Sequence, residues 1–194
     1  VMKIVSSLTP PQDGHRTASS QQGFTLLELL VTMALVAILA TLAVPSFTNL
    51  IQSTNQKAKT NDLVSTLLYA RSEAVKRGLR AVVCTSIDGA SCEETADWDA
   101  GWIVFIDANA NNSVDDDETL VRVQEVLDAD FTLIGSTNVN NQIRFEPNGV
   151  ALDTGTVTMC DQRGGSEAVA IIISPSGKPG LSETAAGGGT LTCP

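Results

Sequence analysis

Asp107, Asn109, Asn111, Ser113, Asp115 and Glu118 occupy offsets 1, 3, 5, 7, 9 and 12 of one short segment. That is the spacing with which a calcium loop presents its oxygen ligands, and a hard divalent cation would relieve the repulsion among them. Asn112 stands where such a loop carries glycine, although asparagine tolerates the left-handed backbone that the position needs. The flanks, 102–106 and 120–126, have the make-up of strands rather than of the helices that bracket such a loop. An acidic hairpin loop with solvated charges is the competing reading, and the residue types leave both open. No cofactor other than calcium is expected.

The remaining reactive groups make a poor enzyme. The single histidine, His15, lies in a polar stretch ahead of everything else of interest. No serine has a recognisable base partner, and paired carboxylates such as Asp97 and Asp99 read as solvated loop charges. Trp98 and Trp102 could form a ligand platform, but with aromatic residues at 4% they are expected in the core. Cys84, Cys92, Cys160 and Cys193 lack zinc-ligand spacing. An even count in an exported segment reads instead as two disulfides. Cys84 is expected to pair with Cys92 across a short hairpin loop, and Cys160 with Cys193, which staples the C-terminal tail. Four reduced thiols are the alternative.

A different chemistry is suggested by Glu28, near the start of an apolar run from Gly23 to Val44. At about 1.5 Å per residue, a helix over that run spans one bilayer core, roughly 30 Å. A carboxylate there costs a few kcal/mol, so it is a candidate for function, the alternative being a side chain that snorkels to the headgroups.

Beyond Pro45, which should bend or loosen a helix, Leu63, Leu67, Ala70 and Ala74 recur at three- and four-residue steps. That pattern predicts an amphipathic continuation ending at Gly78, with Lys76 and Arg77 at its negative pole. Short β-type runs follow at 80–86, 102–106, 120–126, 131–134, 142–146, 156–160 and 168–174. Turn chemistry such as Asp88-Gly89, Asn148-Gly149 and Ser176-Gly177 separates them. The expected class is α+β, a long N-terminal helix packed on an antiparallel sheet. The expected organisation is a leader over 1–23, a membrane helix over 24–52 and a globular domain over 53–194. A formal charge of −10 gives no general attraction for nucleic acid.

Gly23, Phe24, Thr25 and Glu28, followed by the apolar helix and Pro45, resemble the leader and N-terminus of type IV prepilins. The resemblance implies that a prepilin peptidase cuts between Gly23 and Phe24, that Phe24 is then N-methylated, and that Glu28 and Phe24 take part in subunit assembly. It further implies a single-pass inner-membrane protein with its C-terminal domain outside the cytoplasm.

The globular part has its own resemblance. Ala70-Arg71-Ser72-Glu73-Ala74, Trp98-x-x-Gly101-Trp102, Phe145-x-Pro147-x-Gly149, Cys160-Asp161-x-Arg163-Gly164 and Ser174-x-Ser176-Gly177 are similar to the FimT/FimU minor pilins and to the H-type pseudopilin of type II secretion. What this implies is a non-enzymatic subunit that primes assembly at or near a type IV pilus tip, with other minor pilins and the major pilin as partners. The alternative is the pseudopilin, with other pseudopilins as partners. A third reading is a DNA-binding minor pilin for natural transformation. Its Gly-Arg-x-Arg motif is replaced here by Gly177-Lys178-Pro179-Gly180, so DNA is not among the expected partners.

Overall fold

The computed structural model describes residues 23–95 and 97–194. The expected leader, up to residue 22, therefore lies outside the described residues. Among the described residues, one α-helix, α1 (Leu26–Arg77), precedes eight strands. The chain divides into two compact units, one ending at Pro45 and the other starting at Ser46.

In the first unit, α1 is apolar and exposed, and it is long and apolar enough to cross a membrane. Its few hydroxyls are satisfied within the helix. Thr32 Oγ1 donates to the Leu29 carbonyl at 2.9 Å and Thr41 Oγ1 to that of Ile38 at 2.7 Å. Such back-bonding is how a hydroxyl is accommodated in hydrocarbon, where no water can take it. The helix runs on through Pro45.

The second unit holds the rest of α1 and two four-stranded antiparallel sheets. The strands are β1 (Arg80–Thr85), β2 (Trp102–Asp107), β3 (Thr119–Gln124), β4 (Phe131–Gly135), β5 (Gln142–Phe145), β6 (Gly155–Asp161), β7 (Val169–Ile173) and β8 (Pro179–Ser182). One sheet has the order β3-β2-β1-β5 and the other β4-β6-β7-β8. The expected class, a long helix packed on antiparallel strands, is borne out, the strands being divided between two sheets. β8 was not expected, because a run opening on Pro179-Gly180 reads as a turn; proline is tolerated there as the first residue of an edge strand.

Leu63, Leu67, Ala70 and Ala74 are fully buried, as their helical spacing requires, and α1 ends at Gly78 with φ of +66°. Their core continues through Ala81, Val83, Val104 and Ile143 of the first sheet and Val157, Met159 and Ile171 of the second. A smaller cluster, Val82, Cys84, Ile103 and Phe105, occupies the opposite face of β1 and β2, beneath Cys92 and Val114. Burial on both faces explains why β1 and β2 are continuously apolar rather than alternating.

Candidate assembly site

At the start of the first unit, Phe24 is 83% exposed. Thr25 Oγ1 accepts the Glu28 backbone N–H at 3.2 Å, and the Thr25 carbonyl accepts that of Leu29 at 3.2 Å. Thr25 is therefore the N-cap, and Thr25-x-x-Glu28 has the make-up of a capping box, a local signal that the sequence carries at this helix start. The cap fixes Glu28 in the first turn, where the positive pole of the helix favours a carboxylate. Its side chain is exposed.

In the second unit the cysteines form two disulfides, Cys84–Cys92 with S–S 2.00 Å and Cys160–Cys193 with S–S 2.02 Å. The first pins the loop after β1 over the smaller apolar cluster. The second ties the chain end to β6.

The acidic loop between β2 and β3 is held by its own hydrogen bonds. Asp107, 1% exposed, accepts the N–H groups of Asn111 and Asn112, each at 3.1 Å. Asn109 and Asn111 donate side-chain N–H groups to Asp115 at 2.8 and 2.7 Å, and Glu118 accepts the Ala108 N–H at 2.8 Å. Asn112 has φ of +64°, the left-handed conformation anticipated for it. Positive charge comes from a residue that the spacing gave no reason to include. Arg80 donates to the Ala110 carbonyl and to Asn112 Oδ1, stands 3.9 Å from Asp107, and forks onto Glu146 Oε1. Among the described residues, no group of three or more His, Cys, Asp or Glu is placed to hold a metal ion.

The segments that carried the family resemblance lie at the joints of the fold. Arg163 forks onto Asp161 through Nε and Nη2 and reaches Ser53 Oγ at 2.7 Å and Gln56 Oε1 at 3.3 Å on α1. Burial pushes the Asp161 carboxyl up, but the bonds from Arg163 outweigh it and hold the group below its ordinary 3.8. Gln56 returns a bond to the Glu167 carbonyl at 2.8 Å, so helix and loop are clamped from both sides.

Arg71 Nε donates to the Gly149 carbonyl at 2.8 Å. Gly149 and Gly177 both have positive φ, and a Cβ on Gly177 would stand 2.2 Å from the Gly149 oxygen. Two turns and a helix thus meet where only glycine fits. Trp98 and Trp102 are fully buried, their indole N–H groups given to the Val139 carbonyl and Thr66 Oγ1 at 2.9 and 3.3 Å. They are core, not a platform.

Glu73 is held below its ordinary 4.5, first by the hydrogen bond from Arg77. Asp88 lies well below the carboxylate range because the Ser91 backbone and hydroxyl and the Ala90 N–H all donate to it. Burial pushes Asp99 up.

Residues 59–177 match the family described as type II transport protein GspH, and residues 18–44 match the prokaryotic N-terminal methylation motif. The chain is 27% identical over 172 residues to the pilin-like protein PilA1 of Thermus thermophilus, covering 84% of this chain and 99% of that one. It shares its fold with the type IV minor pilin FimU of Pseudomonas aeruginosa in two crystal forms. One gives 23% identity and a TM-score of 0.53, covering 70% of this chain and 95% of that one; the other gives 22% and 0.51, covering 67% and 96%. The family is structural and non-enzymatic, which accords with the poor catalytic prospects of the residues. With its methylation motif and apolar helix, the chain is a membrane-anchored pilin-like subunit and belongs to the GspH family.

Proposed function

We propose that the chain is a minor pilin that primes assembly of a type IV pilus and sits at or near its tip. The observation that carries this is the first unit, an exposed apolar helix capped by Thr25 with one carboxylate in its first turn. Such a surface needs lipid or neighbouring helices around it. Similarity to the minor pilin FimU and to a pilin-like protein supports the choice of a minor subunit. In this reading prepilin peptidase cuts after Gly23 at the cytoplasmic face, Phe24 is methylated, and the head faces the periplasm. Glu28 then pairs with the N-terminal amine of a neighbouring subunit, since either charge alone beside hydrocarbon is costly. The partners are other minor pilins and the major pilin; no cofactor takes part, and DNA is not a ligand.

A second reading, the H-type pseudopilin of a type II secretion system, is favoured by the match to GspH over the globular unit. Deleting the chain separates them. Loss of surface pili with normal exoprotein secretion is expected; lost secretion with normal piliation would replace the first reading by the second.

A further inference from the structure

Two open cavities on the second unit share Asn141 and Gln142 as a common wall. One, about 500 Å³, lies over the Cys84–Cys92 disulfide beside Glu94, Asn112 and Ser113. The other, about 400 Å³, is bordered by Thr137, Asn138, Asn140, Leu152 and Thr154. Both fall in the size range of small-ligand pockets, roughly 300–1,000 Å³, but such pockets are ordinarily lined by apolar side chains. These are lined by carboxamides and hydroxyls.

The capacity of those groups is open. Among the described residues, the Gln142, Asn138 and Asn140 carboxamides and the Ser113, Thr137 and Thr154 hydroxyls have no hydrogen-bond partner, nor does the Glu94 carboxylate. A carboxamide sets a two-proton donor beside an acceptor, and a hydroxyl does both at one atom. The bordering cations are already engaged. Arg144 forks onto Asp153 at 2.7 and 2.6 Å, and Arg80 onto Glu146. Among the described residues, no free guanidinium therefore faces the furrow to draw a phosphate or sulfate, and Glu94 repels one. Addition of a peptide strand along β5 is obstructed at Arg144, whose carbonyl accepts the Leu152 N–H and whose N–H goes to Asp153.

We infer that this furrow binds a neutral saccharide chain, with Gln142, Asn140, Asn112 and Ser113 hydrogen-bonding its hydroxyls and Leu152 lying under a C–H face of one ring. Hydroxyls, which both donate and accept, match this lining better than any charged or apolar group. Two cavities joined at Asn141 and Gln142 suit consecutive linked rings. The inference does not depend on the assembly role.

The test uses the full chain in a zwitterionic detergent with no sugar headgroup, titrated calorimetrically. The probes are neutral hexasaccharides of glucose, galactose and N-acetylglucosamine, a sulfated hexasaccharide, and an extended uncharged hexapeptide. At least one neutral hexasaccharide should bind with Kd below about 1 mM. Gln142→Leu and Asn140→Leu should each weaken it about tenfold, because a hydroxyl is left unpaired against an apolar side chain. Both variants should keep the wild-type melting temperature, and Glu183→Gln, outside the furrow, should bind as wild type does. Absence of binding by every neutral hexasaccharide, preference for the sulfated chain or the peptide, or undiminished binding by both leucine variants would overturn the inference.

Discussion

The two units treat apolar surface in opposite ways. In the first, the large side chains described between Phe24 and Val44 are exposed, and the hydroxyls of Thr25, Thr32 and Thr41 bond only within their own helix. In the second, the apolar side chains close into a core, and polar ones reach across the chain, as Arg163 does to Ser53 and Arg80 to Glu146. A unit of the second kind carries its stability within itself. One of the first kind is completed by what surrounds it, so the same substitution should register in different assays depending on which unit it strikes. Both tryptophans are buried in the second unit, so their fluorescence reads that unit alone.

The largest effect on that signal should come from Arg163→Ala. It leaves the Asp161 side chain, 4% exposed, without its partner, at a cost of about 3–5 kcal/mol. At roughly 2–4 °C per kcal/mol, the melting temperature should fall by about 10 °C, and Asp161→Ala added to it should recover part of the loss. A melt unchanged by Arg163→Ala would show that the clamp on α1 is not a stability element.

Next come the disulfides, whose separations in sequence are 33 and 8 residues. Loop-closure entropy predicts about 3.5–4 kcal/mol for Cys160–Cys193 against about 2.5 for Cys84–Cys92. Cys193→Ser should therefore lower the denaturant midpoint more than Cys92→Ser; the reverse order would place the stronger constraint on the loop after β1.

Acid should act more gradually. Asp161 and Glu73 titrate lower in the folded chain than their ordinary 3.8 and 4.5. The unfolded chain thus takes up their protons first, and their stabilisation, complete above about pH 5, is lost as pH falls through those values. Asp99, raised by burial, works in the opposite sense and offsets a little of that loss. Melts from pH 7 down to pH 2 should be flat and then fall; a decline beginning near pH 6 would point to other groups.

Calcium should have almost no effect. With Arg80 supplying charge and Asp107 filled by N–H groups, millimolar calcium should move the melting temperature by less than about a degree. A rise of several degrees would mean that the loop opens to take the ion.

Smallest in this assay is Glu28→Ala, which should not move the second unit's melt at all. Its effect should appear in co-purification with the other minor subunits, which it should largely abolish. Normal incorporation would mark Glu28 as a side chain that merely snorkels to the headgroups.

The parts of this molecule that were legible in the sequence are those whose cause is local. Leu63, Leu67, Ala70 and Ala74 declare their buried face by spacing, Gly78 declares the helix end, and the cysteine pairs follow from order and loop length. Arg163 and Arg80 could not be assigned that way, because their partners Ser53 and Glu146 lie 110 and 66 residues away. β8 was hidden by Pro179, and the division into two sheets leaves no trace in a list of strands. The carboxamide furrow was equally invisible, since its walls come from four loops and the strands β1 and β5. Thr25-x-x-Glu28 is equally local, a threonine and a glutamate at capping-box spacing ahead of the apolar run.

The meeting of Arg71, Gly149 and Gly177 bears on how such a chain can change over generations. A side chain on Gly177 would collide with the Gly149 oxygen, so that turn cannot drift by itself. Lys178 follows immediately and carries no such restriction, its side chain facing no partner among the described residues. Variation in this part of the head is therefore channelled. A lineage can acquire new surface chemistry at residue 178 while the glycine before it stays fixed, a rigid post from which different signs can be hung.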